Sequence, residues 1–502
     1  MAISNLLNLS YCLKNEDTSV NCDRLMVFYL LAFALLYTLI PFLFYQNILP
    51  DSAQNIAWGR TWEWSYNRHP PLGTWFIKLM IMFIGNIELA TFSASACCLS
   101  ISLWFIYKLS KQFLSQLDAL IACILSSFSV FYLMYYALEF NQNTIMLPFW
   151  VMCCYFFDKC LKVNRTLDWL LLGALTAAAI LAKYESIIML FSLVLYLVVY
   201  FKKQYLVNLI LAFSFALILL APHLLSVVEK GFLPWVFMQG RVGDGLFHGF
   251  IYNHFYNPFK AMLEQFVNLS PALLTFVLLL SYKQFLNKSN QTNMLKSSYL
   301  VYIGFVPCLF VLSISLLFGI SLRSEWSYPL FSFTLPALIY YFQFKAKPKM
   351  IAILFIAAFC LHFGVLVMHK SVHYFSNKDA RSNFPSYQLA NLAQSYWEQF
   401  TDKPIYYVGG EEDIDYYLST YLPSKPVLFE AYSFTKSHWI KPKDLKSKGL
   451  LLVVSGCDPL KIKSLQEQYQ IQAHQCVNIP LNNKFHPQFK LTTFMIVPPK
   501  AD

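Results

Sequence analysis

Residues 50–75 (PDSAQNIAWGRTWEWSYNRHPPLGTW) bring Asp51, His69 and four tryptophans together just beyond the first long apolar run. Asp51 follows Pro50 at the end of that run. A carboxylate beside hydrocarbon is costly unless it is paired or functional. As a general base, Asp51 could take the proton of an acceptor hydroxyl. The structural alternative is an interfacial acid paired with Arg60 or Arg68. His69-Pro70-Pro71 forms a rigid turn, because each proline fixes φ and removes a donor. That turn could aim His69 at a phosphate or a metal, or only start the helix that follows. Trp58, Trp62, Trp64 and Tyr66 suit an anchor at a membrane–water interface, and Trp62 could also serve as a sugar platform.

Other chemistry-bearing residues lie between apolar runs. Lys183 ends one run, and Tyr184-Glu185 begins the next. A lysine there could bind a lipid-linked phosphate, with Tyr184 beside it, or it could pair with Glu185 or Glu139. Arg323 stands in a similar position before Trp326 and Pro329, so two cations could share one phosphate. Glu139 and Asn141 could bind sugar hydroxyls, orient an acceptor, or cap the helix that follows. The glycine-rich stretch Gln239–Gly245 could be a mobile lid, but it lacks phosphate-loop spacing. No CxxC pattern is present, and no metal is assigned.

The elements that must position these residues are membrane spans. The 502-residue chain is 57% hydrophobic and only 13% charged, with a mean hydropathy of +0.47. A soluble globule carries about a quarter charged residues. Apolar runs occur near 25–46, 88–108, 117–137, 144–161, 168–182, 186–201, 205–225, 261–282, 298–319, 326–343 and 350–368. The first lacks a small-residue cleavage site and reads as retained. The run at 71–86 is too short to span with ease and reads as an interfacial helix. With the N-terminus cytoplasmic, alternate loops then hold the basic clusters Lys108/Lys111, Lys159/Lys162/Arg165, Lys202/Lys203, Lys283/Lys288/Lys296 and Lys345/Lys347/Lys349. This is the positive-inside pattern, and it explains the net charge of +11 without nucleic-acid binding. It predicts eleven spans, a transmembrane domain over 1–369, and all the acids, amides and lone cations named above on the outer face.

From about residue 370 the composition turns polar. Residues 404–409 and 449–455 read as buried strands, 386–400 and 459–469 as helices, and 370–502 as a small extracytoplasmic α/β domain. Gly409-Gly410 follows a strand, but no nucleotide-binding pattern continues from it. Cys457 and Cys476 are a disulfide candidate if that region lies outside the cytoplasm.

Asp51 after the first span, the aromatic segment and HPPLGTW at 69–75 resemble the first outer loop of GT-C glycosyltransferases. The protein O-mannosyltransferase and aminoarabinose/galacturonosyl transferase branch is the nearest in pattern. ALEFNQNTIMLPFW at 137–150, AKYES at 182–186 and RSEWSYP at 323–329 are similar to three later motifs, in family order. The resemblance covers about residues 25–345. It implies transfer of a sugar from a polyprenyl-phosphate-linked donor to a lipid, glycan or protein acceptor in the outer leaflet of a bacterial inner membrane. It also implies inversion at the anomeric carbon, with Asp51 as the catalytic acid residue and Lys183, Arg323 and His69 near the donor phosphate. Some members bind a divalent metal there. The chain departs from the family pattern at Ser52, where many members have Glu, and at Arg68, where many have Asp. Both changes remove negative charge from the loop. A transporter of lipid-linked sugars is the alternative function, but it should carry inverted repeats and midplane ionisable residues.

Overall fold

The computed structural model describes residues 21–45, 47–246, 249–280, 298–322, 328–375, 384–411, 413–480 and 489–499. Arg323 and the lysines Lys283, Lys288 and Lys296 lie outside the described residues. Seven described helices are long and apolar enough to cross a membrane: Cys22–Phe44, Ile87–Ser110, Gln142–Val163, Lys203–Glu229, Tyr252–Leu279, Tyr299–Phe318 and Lys349–Val372. Gln116–Ser126 and Phe131–Leu138 make an eighth if counted as one span, bent by 67° at the break. The chain is a multi-pass membrane protein.

The remaining expected spans are short. Those at 168–182 and 186–201 are the helices Thr166–Ala182 and Ser186–Tyr200, of 17 and 15 residues. That at 326–343 contributes the eight-residue helix Thr334–Tyr341. At about 1.5 Å per residue these fall short of a hydrocarbon core about 30 Å thick. The run at 71–86 is the 13-residue helix Leu72–Ile84, stopped by Gly85 at φ 82°. The glycine-rich stretch 239–245 is not a loop: it lies within the helix Leu233–Leu246.

Local chemistry sets the helix ends. Asn86 accepts the Leu89 N–H at 2.8 Å, and Ser115 accepts that of Asp118 at 3.1 Å. Both satisfy amides that a helix start leaves orphaned. Val207, Ile210, Phe213 and Ile218 on one helix remain exposed, as lipid-facing side chains are. Helices 166–182 and 206–229 meet closely because Gly173 has no Cβ: one would sit 2.4 Å from the Ala212 carbonyl oxygen. The last span is tied to the first by buried His362, whose Nδ1 lies 2.8 Å from the Tyr37 hydroxyl. Its Nε2 lies 3.2 Å from Ser127 Oγ and 3.3 Å from the Tyr29 hydroxyl.

The helix Lys349–Phe375 runs past residue 369, and a five-stranded sheet follows. Its strands are β1 (Tyr407–Gly410), β2 (Val427–Phe429), β3 (Leu450–Ser455), β4 (Ala473–Pro480) and β5 (Phe489–Val497). Their order is β2-β1-β3-β5-β4. β1 pairs in parallel with β2 and β3, while β5 pairs antiparallel with β3 and β4. Val408 is in register with Leu451, and Leu452 with Met495. β3 alternates its side chains between two cores. Leu451 and Val453 pack with Leu389, Trp397 and Leu418, and Leu450 and Leu452 with Leu445, Ile462 and Leu465. Cys457 and Cys476 are disulfide-bonded, with Cα atoms 6.0 Å apart.

Candidate active site

The first loop turns on the nine-residue helix Pro50–Trp58. Proline at its first position suits a helix start, since the missing N–H would be orphaned anyway. Every residue of this helix except Asp51 is buried. The Asp51 N–H donates to Glu139 Oε1 at 3.0 Å, so a carboxylate meets the positive end of the helix dipole. Ser52 Oγ donates to the Phe140 carbonyl at 3.1 Å. Asn55 donates to the Asp51 carbonyl at 2.9 Å, and its Oδ1 accepts from Gln142 Nε2 at 2.9 Å and from Thr74 Oγ1 at 3.2 Å. Gly73 permits that approach, because a Cβ there would lie 3.3 Å from Asn55 Oδ1. The helix is gripped from below on several faces, and the Asp51 carboxylate is left at the surface.

The same segment, 139–143, reaches Lys183. Lys183 is 5% exposed, and its ammonium donates to Asn143 Oδ1 at 2.6 Å and pairs with Glu185 Oε2 at 2.7 Å. The Lys183–Glu185 pairing considered from sequence is therefore present. Asn141 takes the capping alternative: its Oδ1 accepts the Asn143 and Thr144 N–H groups at 3.0 and 3.2 Å. Tyr184 meets His223 Nε2 at 3.1 Å, while His223 Nδ1 lies 2.6 Å from the Trp64 carbonyl. A carbonyl only accepts, so Nδ1 carries the proton and the Tyr184 hydroxyl donates to Nε2.

His69 lies against Trp58 and Phe237, with ring centroids 6.1 and 6.4 Å away. Trp62 is exposed, stacks on Trp75 at 5.7 Å and carries the Lys78 ammonium 4.6 Å from its ring centre. Arg68 pairs with fully buried Glu430 at 3.1 Å, and Arg60 donates to the Ser419 carbonyl at 3.3 Å. Both partners belong to the C-terminal region. Glu63 accepts from Lys230 at 2.8 Å and lies 3.3 Å from His438 Nε2. The His438 hydrogen bond and the Lys230 ammonium hold the Glu63 carboxyl down to about 2, against the opposing effect of burial.

Sequence reading missed Gln142, His223, Lys230, Tyr416 and Glu430. His223 carried a usable signal, since an ionisable residue inside a span is rarely idle. Glu430 carried none, because nothing local marks an acid after a short strand as the partner of a loop more than 350 positions away. Among the described residues no three His, Cys, Asp or Glu side chains form a metal-binding group. Asp51 and Glu139 do not by themselves supply a metal's ligand set.

Residues 68–225 match the family described as dolichyl-phosphate-mannose-protein mannosyltransferase. The fold is similar to that of ArnT from Cupriavidus metallidurans bound to undecaprenyl phosphate. The TM-score is 0.57 at 14% identity, over 95% of this chain and 98% of that one. The oligosaccharyltransferase of Archaeoglobus fulgidus, in complex with zinc and sulfate, is more distant. Its TM-score is 0.43 at 10% identity, over 84% of this chain and 67% of that one. No curated relative matches by sequence. The chain has an ArnT-like GT-C fold, as the resemblance of its motifs implies.

Proposed function

We propose that the protein transfers a sugar from a polyprenyl-phosphate-linked donor to a lipid, glycan or protein acceptor. The observation that carries this reading is Asp51, the one exposed side chain on a helix otherwise buried and clamped. Its carboxylate takes the proton of the acceptor hydroxyl. The acceptor oxygen attacks the anomeric carbon from the face opposite the phosphate, the bond to the phosphate oxygen breaks, and the product is inverted. The departing polyprenyl phosphate gains charge, which preorganised cations stabilise. Lys183 supplies one such cation, tied to the Asp51 helix through segment 139–143. His69 and Arg323 are assigned the same task. Glu139 holds the Asp51 helix, and Trp62 and Tyr184 flank the sugar. Any divalent metal would have to borrow ligands from the substrate phosphate. The basic loops support an inner-membrane protein with its N-terminus cytoplasmic and its site and C-terminal domain periplasmic.

The test is mass spectrometry of the envelope glycolipids and glycoproteins of a deletion strain beside its parent. One sugar residue disappears from one glycoconjugate and returns with the wild-type gene. Loss of the same sugar with unused donor trapped on the cytoplasmic side, rather than on the periplasmic side, would instead support the transporter reading.

A further inference from the structure

In the parallel part of the C-terminal sheet, the segment that follows β2 and the helix that follows β1 meet the first loop. In open α/β sheets the carboxyl ends of the strands are where ligands bind; here they hold the helix that carries Asp51. Glu430 directly follows β2 and is fully buried. Its Oε1 accepts from the Tyr416 hydroxyl at 2.8 Å and from Arg68 at 3.1 Å. Its Oε2 accepts from Trp58 Nε1 at 3.0 Å and Asn67 Nδ2 at 3.1 Å. Tyr416, on the helix Ile414–Tyr421 after β1, also accepts from Gln54 Nε2 at 2.7 Å. Nearby, Thr420 Oγ1 donates to the Tyr416 carbonyl at 2.8 Å and lies 3.4 Å from the Ala53 carbonyl, and the Tyr417 hydroxyl donates to the Ile48 carbonyl at 3.2 Å.

The turn presenting Glu430 is held in a costly backbone state. Ala431 and Tyr432 have φ of 49° and 44°, in the left-handed region that non-glycine residues avoid. Such strain persists only where the surroundings over-determine it. Here Asp415 Oδ2 accepts the Ala431 N–H at 2.9 Å, and Ser437 Oγ accepts that of Glu430 at 2.8 Å. The loop residue Arg68 brings a positive charge, and the C-terminal domain brings the carboxylate that neutralises it.

We propose that Glu430 is a positioning residue for the sugar transfer. Acting from a separate domain, it locks the helix 50–58 and the Arg68–His69 turn in the placement the chemistry needs. This rests on the glycosyltransferase reading above. Glu430→Gln removes the charge and turns an amide N–H₂ toward two donors whichever way it is built. Tyr416→Phe removes the bridge between Gln54 and Glu430 at little change in volume.

The experiment compares both full-length variants with the wild type in nanodiscs, by steady-state kinetics and by amide hydrogen exchange. In Glu430→Gln the turnover falls about 10²-fold, as for a misplaced reacting group. The donor KM stays within about twofold of wild type, and faster exchange is confined to residues 50–69. Tyr416→Phe moves the same readouts in the same direction by less. Wild-type turnover and exchange in both variants overturns the proposal, as does a fall in turnover with faster exchange throughout the chain. If Glu430→Gln does not yield monodisperse protein, Tyr416→Phe decides alone. If the wild type itself transfers no sugar, the functional reading fails, and the exchange pattern still decides whether Glu430 fixes the loop.

Discussion

Asp51 and Asn141 stood together in the sequence as polar residues of the outer face, and the structure gives them different work. Asn141 spends its side-chain oxygen on two backbone amides. Asn141→Ala is therefore expected to lower stability by about 1 kcal/mol, as loss of an N-cap does. Thermal melts would show the loss, with donor and acceptor KM unmoved; a raised KM at unchanged stability would return Asn141 to the binding site. Glu139 accepts the Asp51 N–H. Glu139→Gln keeps an acceptor and should keep the fold, whereas Glu139→Ala should cost about 1–2 kcal/mol and slow turnover. On the proposed mechanism, Lys183→Met cuts kcat about 10²-fold or more, through loss of a cation that would stabilise the leaving phosphate. A variant of normal turnover would reduce Lys183 to the structural partner of Glu185. Residue types and motif order single out Asp51 and Lys183 as candidates. They could not choose between cap and ligand at Asn141, because that depends on which way one short side chain turns.

At the scale of elements, polar contacts fasten the first loop to its neighbours. Glu63 ties the loop to Lys230 at the end of the helix 206–229 and to His438 beyond the sheet. Its carboxyl sits at about 2 in the folded protein against an ordinary 4.5. A depressed folded value means the contribution is full above the unfolded value and is lost as pH falls through the folded one. Thermal melts should therefore weaken between pH 4.5 and about 2, and Glu63→Gln should remove part of that dependence. An identical pH dependence in the variant would show that the Glu63 contacts do not hold the loop. The helices themselves were largely legible. The helix predicted at 459–469 is found there, because Asp458 caps it and Pro459 starts it. The lengths of the spans near 168–201 and 326–343 were not legible. Hydropathy marks apolar runs but not where the helix within a run begins and ends.

For the whole molecule, the C-terminal domain is part of the first-loop architecture rather than an appendage. Trp58, Asn67 and Arg68 from the loop all end on one buried carboxylate of that domain. Reading the sequence separated the two parts by composition and had no means to join them, since contacts between positions near 60 and near 430 leave no local periodicity. The Cys457–Cys476 disulfide closes a chain segment 19 residues apart. Replacing both cysteines with serine should lower stability by roughly 2–4 kcal/mol. A reductant should reproduce the loss in the wild type but not in the variant. The proposed chemistry stands on the exposed Asp51 carboxylate that this architecture holds in place. Its most direct test is transfer of labelled sugar from a polyprenyl-phosphate donor by purified, full-length Asp51→Asn protein. The account predicts a folded, donor-binding protein whose turnover has fallen about 10²–10⁴-fold, the range for loss of a general base. Turnover equal to the wild type would contradict it.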